Sequence, residues 1–170
     1  MTIKKILNLI DGISEWSGRS VAWLLYVLVF AISYDVMMRY LFESPTIWAY
    51  DTAYMLYGTV FMIGGAYTLK LKAHIRIDVL FNMFSARGKS IIEIVYYLVI
   101  FFPLIVILFK CGLDQFLESI KYHEVSQYSP WRPIVYPYKG IIPLAFLLLG
   151  LQGIAEFIRH LKIFIKEGER

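Results

Sequence analysis

Four apolar runs separated by short polar breaks dominate the chain. Residues 21–34, 52–69, 94–109 and 140–155 carry no charged side chain. A helix of about 20 such residues crosses the ~30 Å hydrocarbon core of a bilayer. The runs predict membrane-spanning helices over 19–42, 47–70, 91–113 and 138–164. Two shorter stretches follow a different pattern. Ile3, Ile6, Leu7, Ile10 and Ile13 recur at helical spacing, and Ile77, Leu80, Phe81 and Phe84 share one helical face opposite Asp78, Asn82 and Ser85. Helices this short cannot span, so 3–14 and 75–85 are predicted to lie on the membrane surface. The expected fold is an all-α integral membrane protein. It is one domain over 1–170, with four transmembrane helices plus short interfacial amphipathic helices.

The breaks have local causes. Ser44-Pro45 predicts a tight turn, because proline restrains itself and the residue before it. Pro130, Pro133 and Pro137 exclude regular helix through 126–138. Pro103 is placed to kink the third helix. That helix keeps its pattern as far as Ile120, which makes it ~48 Å long and obliges it to tilt or protrude. The second run is rich in small residues, among them Gly58, Gly64 and Gly65. Such residues let membrane helices approach closely. The competing reading is that Gly64-Gly65 breaks the helix.

Composition agrees with the pattern. The chain is 59% hydrophobic and 18% charged, against about 45–50% and about 25% for soluble domains. The net charge of +4 comes from residues beside apolar runs and not from a nucleic-acid-binding block. Lys4, Lys5, Arg19, Lys70, Lys72, Arg76, Arg87, Lys89, Arg159, Lys162, Lys166 and Arg170 fall on one side of a four-span topology. Only Arg39, Lys110, Lys121, Arg132 and Lys139 fall on the other. The positive-inside rule then puts both termini in the cytoplasm. Asp11 and Glu15 interrupt the N-terminal apolar stretch, which argues against a cleaved signal peptide. The single cysteine, Cys111, permits no internal disulfide and is read as apolar filler.

Chemistry is sparse. His74, His123 and His160 lie near span ends, at unmatched depths for a haem. No metalloprotease or nucleophile motif is present, and no catalytic, metal, cofactor or substrate site is expected. Asp35 and Arg39 stand four apart, with the spacing of an ion pair, and Asp51 opens the next span at similar depth. Charges there are either functional or snorkelling to the surface. Arg39 is expected to pair with Asp51, with Asp35 as a second partner. Glu156 is read as half solvated, close to the cytoplasmic end.

These residues, taken in order, resemble the small membrane subunit of tripartite ATP-independent periplasmic (TRAP) transporters, the DctQ-like family. The likeness rests on Arg39-Tyr40-Leu41-Phe42, then Trp48-x-x-Asp51, Gly64-Gly65-Ala66 and His74-Ile75-Arg76-Ile77-Asp78. Tyr136-Pro137-Tyr138-Lys139, Ile142-Pro143 and Gln152-Gly153 follow. Asp51 departs from the glutamate expected at the end of the W-x-x-acid motif. The resemblance implies a non-enzymatic scaffold subunit in a bacterial inner membrane. Its partners would be a large transport subunit on a separate chain, a soluble periplasmic binding protein and membrane lipids, with no nucleic acid. Import of organic acids would be driven by an ion gradient, usually sodium. On this reading Arg39, Asp51, Asp35, Trp48, Gly58, Gly64 and Gly65 form the assembly interface. Trp131, Arg132 and Tyr136 either help dock the binding protein or anchor the loop at the interface. The alternative is a small cytochrome-like electron-transfer subunit.

Overall fold

The computed structural model describes residues 2–71 and 86–168. Six α-helices make up the described chain: α1 (Thr2–Ala22), α2 (Leu24–Leu41), α3 (Ala49–Lys70), α4 (Ala86–Tyr96), α5 (Phe102–Lys121) and α6 (Tyr136–Gly168). The only extended pairing among the described residues is an isolated antiparallel bridge, Val125 to Ile134. The segment expected as a surface helix, with Ile77, Leu80, Phe81 and Phe84, lies outside the described residues.

Residues 3–14 are helical, but they are not a separate short helix. They form the first half of α1, which runs into α2 past a single irregular residue, Trp23. There the Tyr26 N–H bonds back to the Trp23 carbonyl at 3.1 Å. The apolar helix Ile3–Leu41 has 39 residues, or ~58 Å, far more than the ~30 Å core requires.

The third predicted helix also departs from expectation. Pro103 does not bend a plain α-helix. Residues Tyr97–Phe101 form a π-helical turn between α4 and α5, and Pro103 sits in the first turn of α5. Proline has no N–H and its ring crowds the carbonyl four residues back. A wide turn just upstream relieves both constraints. Pro137 is absorbed in the same way, in the first turn of α6, where its missing N–H costs no helical bond. Helix α3 passes unbroken through Gly64-Gly65, so the helix-break reading does not hold.

Three helices are long and apolar enough to cross a membrane: Ile3–Leu41, Gly88–Lys121 and Tyr136–Lys166. Helix α3 is not among them. Tyr50, Tyr54, Tyr57, Tyr67, Thr52, Thr59 and Thr68 dilute its apolar content. Its 22 residues would still reach ~33 Å.

Helix directions follow from who touches whom. Glu15 meets Lys70, Gly18 faces Tyr67 and Asp35 meets Thr46, so α1–α2 runs antiparallel to α3. Gly58 lies against Tyr138 while Leu69 reaches the cluster containing Phe146 and Leu149, so α3 and α6 run parallel. Gly140 faces Phe116, Gly112 faces Ile142, Gly150 faces Ile105 and Gly153 faces Phe101, an antiparallel register between α5 and α6. Gly153 is needed for this approach, because a Cβ there would enter the Phe101 ring. Around it Tyr97, Phe101, Phe102 and Phe157 stack edge to face, with Tyr97 and Phe101 centroids 5.1 Å apart.

The bundle is polar inside and apolar outside. Ser14, Ser17, Ser90, Ser119, Gln152 and Glu156 are buried, whereas Trp16, Phe30, Val99 and Val106 are exposed. That inversion suits a lipid surround, where small and polar side chains make the helix contacts.

Candidate functional site

Polar side chains gather at the two ends of the bundle. At the end where α3 begins, Asp35 accepts the Thr46 N–H at 3.0 Å and the Thr46 hydroxyl at 2.5 Å. It also pairs with Arg39 at 2.6 Å. Trp48 stacks on Tyr34 at 6.0 Å and closes the turn between α2 and α3. Arg39 therefore pairs with Asp35, one helical turn back, and not with Asp51. The i, i+4 geometry needs no loop ordering, so the local partner wins. Arg39 is also 57% exposed at its side chain. Exposed pairs contribute about 0–1 kcal/mol, so Arg39→Ala is expected to change the melting temperature of the purified chain very little. A loss above about 3 kcal/mol would restore the buried-pair reading.

Asp51 is 1% exposed. It accepts hydrogen bonds from the Ser126 hydroxyl at 2.7 Å and from the Ser129 hydroxyl. These serines sit on the proline-rich segment 122–135, which folds back on itself. Ser126 N–H bonds to the Pro133 carbonyl at 2.8 Å, and Val135 N–H to the Glu124 carbonyl at 3.1 Å. Asp51 thus ties the start of α3 to this loop. At the loop's base Lys139 pairs with Glu124 at 2.5 Å, which holds the Glu124 carboxyl below its ordinary range. Trp131 and Arg132 stand exposed at the tip, with Arg132 at φ 48°, and Tyr136 is half buried where α6 starts. The residues predicted for docking thus share one loop end with Asp51.

Gly58 is already occupied within the chain, since Tyr138 lies over it. Gly64 and Gly65 are different, because a Cβ at either would meet no neighbour.

The opposite end holds a network that the residue pattern did not reveal. Gln152 is fully buried. Its Oε1 accepts the Ser14 hydroxyl at 2.7 Å, and its Nε2 donates to Asp11 Oδ1 at 3.1 Å. Arg159 bridges Asp11 and Glu156. Glu156 is 2% exposed, which corrects the expectation that it is half solvated. Beside this network Glu15 pairs with Lys70 at 2.5 Å and with Arg19 at 2.6 Å. The signal was in the spacing. Asp11 and Ser14 lie three apart on α1, and Gln152, Glu156 and Arg159 lie four and three apart on α6, so each set forms a single stripe.

His123 and His160 lie at opposite ends of the α5–α6 pair, and His74 lies outside the described residues. The two placed histidines cannot share a haem. Among the described residues no three His, Cys, Asp or Glu side chains converge as metal ligands.

A family model described as "Tripartite ATP-independent periplasmic transporters, DctQ component" matches residues 19–163. The chain is also similar to the C4-dicarboxylate TRAP transporter small permease protein DctQ of Vibrio cholerae serotype O1 (strain ATCC 39315 / El Tor Inaba N16961). The two are 29% identical over 85 residues, which cover 50% of this chain and 35% of that protein. The chain therefore aligns with about a third of the length of that curated relative.

Proposed function

Because this chain belongs to the DctQ component family of the tripartite ATP-independent periplasmic transporters, we propose that it is the small scaffold subunit of an ion-gradient-driven importer of organic acids. Sodium is the coupling ion in this reading. The chain sits in a bacterial inner membrane and pairs with a large transport subunit that carries the substrate. That family is a transport family and not an enzyme family. The match over 19–163 carries the reading, since it embraces every helix from the end of α1 to most of α6.

The topology in this proposal has four crossings, with α3 as the fourth. Its antiparallel register with α1–α2 and its parallel register with α6 support that count. The excess of Lys and Arg at one end supports cytoplasmic termini. The loop bearing Trp131, Arg132 and Tyr136 then faces outward. We assign it the docking of a periplasmic binding protein, since exposed Trp and Arg with a partly buried Tyr are the residue types that dominate interfaces. Arg39, Asp35 and Trp48 stand at the same end, on the α2–α3 turn, and are assigned to contact with the large subunit.

A tagged chain co-expressed with the large subunit is expected to bring it down, and reporters at Thr2 and Glu169 should read cytoplasmic while those at Ser44 and Gln127 read external. Trp131→Ala with Arg132→Ala should lower uptake and leave that complex intact. Failure to recover the large subunit refutes the scaffold role. A cytoplasmic reading at Gln127 refutes the topology.

A further inference from the structure

Helices α3 and α5 both pack along α6 and scarcely touch each other. A groove therefore runs down α6 between them. Its wide end lies under the 122–135 loop and is a cleft of about 550 Å³, bordered by Asp51, Tyr54, Gln115, Glu124, Tyr138 and Lys139. Further along α3 and α6 the lining changes to Gly64, Gly65, Ala145, Phe146 and Leu149, around a space of about 650 Å³. Met62 borders both parts. One end is thus charged and hydroxylic and the other almost wholly apolar.

We propose that this groove is a binding site for one phospholipid with a primary-ammonium headgroup, phosphatidylethanolamine. The ammonium would lie at Asp51 and the acyl chain over Gly64-Gly65. Three observations carry the assignment. Depth is the first. Gly65 lies 14 residues beyond Asp51, ~21 Å along the helix, which matches one leaflet's half of the ~30 Å core plus its headgroup layer.

Charge is the second. Asp51 is buried and receives only hydroxyl donors, and among the described residues no lysine or arginine forms an ion pair with it. A buried carboxylate without a cation is costly. Lys139 balances Glu124, so the cleft keeps one excess negative charge. That favours an ammonium and repels the anionic phosphatidylglycerol. Lys139 remains beside the ammonium site to face the lipid phosphate. Tyr54 and Tyr138, with centroids 5.3 Å apart, offer aromatic faces that attract a cation.

Shape is the third. The open side of Gly64 and Gly65 leaves helix α3 without a side chain where the groove is apolar. A flexible acyl chain fills such a surface without the matched ridges that a protein helix requires.

The test is native mass spectrometry of the full chain, delipidated in mild detergent and offered phosphatidylethanolamine or phosphatidylglycerol with identical acyl chains. Retention of phosphatidylethanolamine should exceed that of phosphatidylglycerol at least fivefold. Asp51→Asn should bring the two to parity. Since Asp51 also anchors the loop, Gly65→Leu is the second variant. Its Cβ has room, so the fold is kept, and the longer side chain should lower retention of phosphatidylethanolamine at least fivefold. Equal retention of both lipids by the unaltered chain overturns the proposal, as does unchanged retention in Gly65→Leu. Retention of neither lipid also overturns it, and leaves the groove to a protein helix.

Discussion

Arg159→Ala is expected to destabilise the bundle by about 3–5 kcal/mol, the usual loss when one member of a buried ion pair is removed. The partner left behind is Glu156, which is buried in the helix interface and whose Oε2 already lacks a hydrogen bond. Arg159 is also the group that connects Glu156 to Asp11 on α1. Its loss should therefore release the first half of α1 as well as lower the melting temperature. Hydrogen exchange over residues 3–14 should rise before that of α5 and α6. Glu156→Gln in the same chain removes the stranded charge and should recover part of the stability. If Arg159→Ala melts within about 1 kcal/mol of the unaltered protein, water reaches Glu156 and the network does not clamp α1.

The second large effect is expected at the other end. Replacing Ser126 and Ser129 together by alanine strips Asp51 of both its hydroxyl donors. A buried acceptor left unsatisfied costs about 1–3 kcal/mol, and more when it is charged. The double variant should lose more than Asp51→Asn, which removes the charge. Proteolysis within 122–135 should accelerate in the double variant, because the tie between α3 and this loop is gone. Equal melting of the double variant and the unaltered chain would show that the loop is held by its backbone bonds alone.

The helices were legible wherever lipid-facing residues set the pattern. The apolar runs at 52–69, 94–109 and 140–155 each fall inside an observed helix or a helix pair joined by the π turn. The N-terminal segment was harder for a physical reason. Ile3, Ile6, Leu7, Ile10 and Ile13 make the same stripe whether a helix lies on a membrane or packs on protein, and only Leu7 among them is buried. What α1 buries besides Leu7 is Ser14 and Ser17, since a membrane bundle puts its polar residues inward. Asp11 and Glu15 looked like interruptions for that reason, yet they are the side chains that bind α1 to Arg159 and Lys70. Asp35 and Arg39 were legible as a pair because their spacing is local. The attachment of Asp51 to Ser126 and Ser129 was not, because it joins residues 75 and 78 positions apart through a loop whose path no periodicity encodes.

The π turn at Tyr97–Phe101 sets the phase of everything downstream. A turn of this kind accommodates one residue more than an α-helical turn would. Ile105, Gly112 and Ser119 are the buried positions of α5, spaced seven apart, and they meet α6 only because that extra residue is there. Deleting one residue between Tyr97 and Phe101 would restore regular helix and lengthen no loop. It would also turn α5 about its axis by about 100°, swinging Ile105 and Gly112 toward lipid. A single-residue deletion here is thus a rotation of 20 residues and not a trimming, and insertions or deletions in this family member should be tolerated in 42–48 far more readily than in this apparently plain stretch of helix.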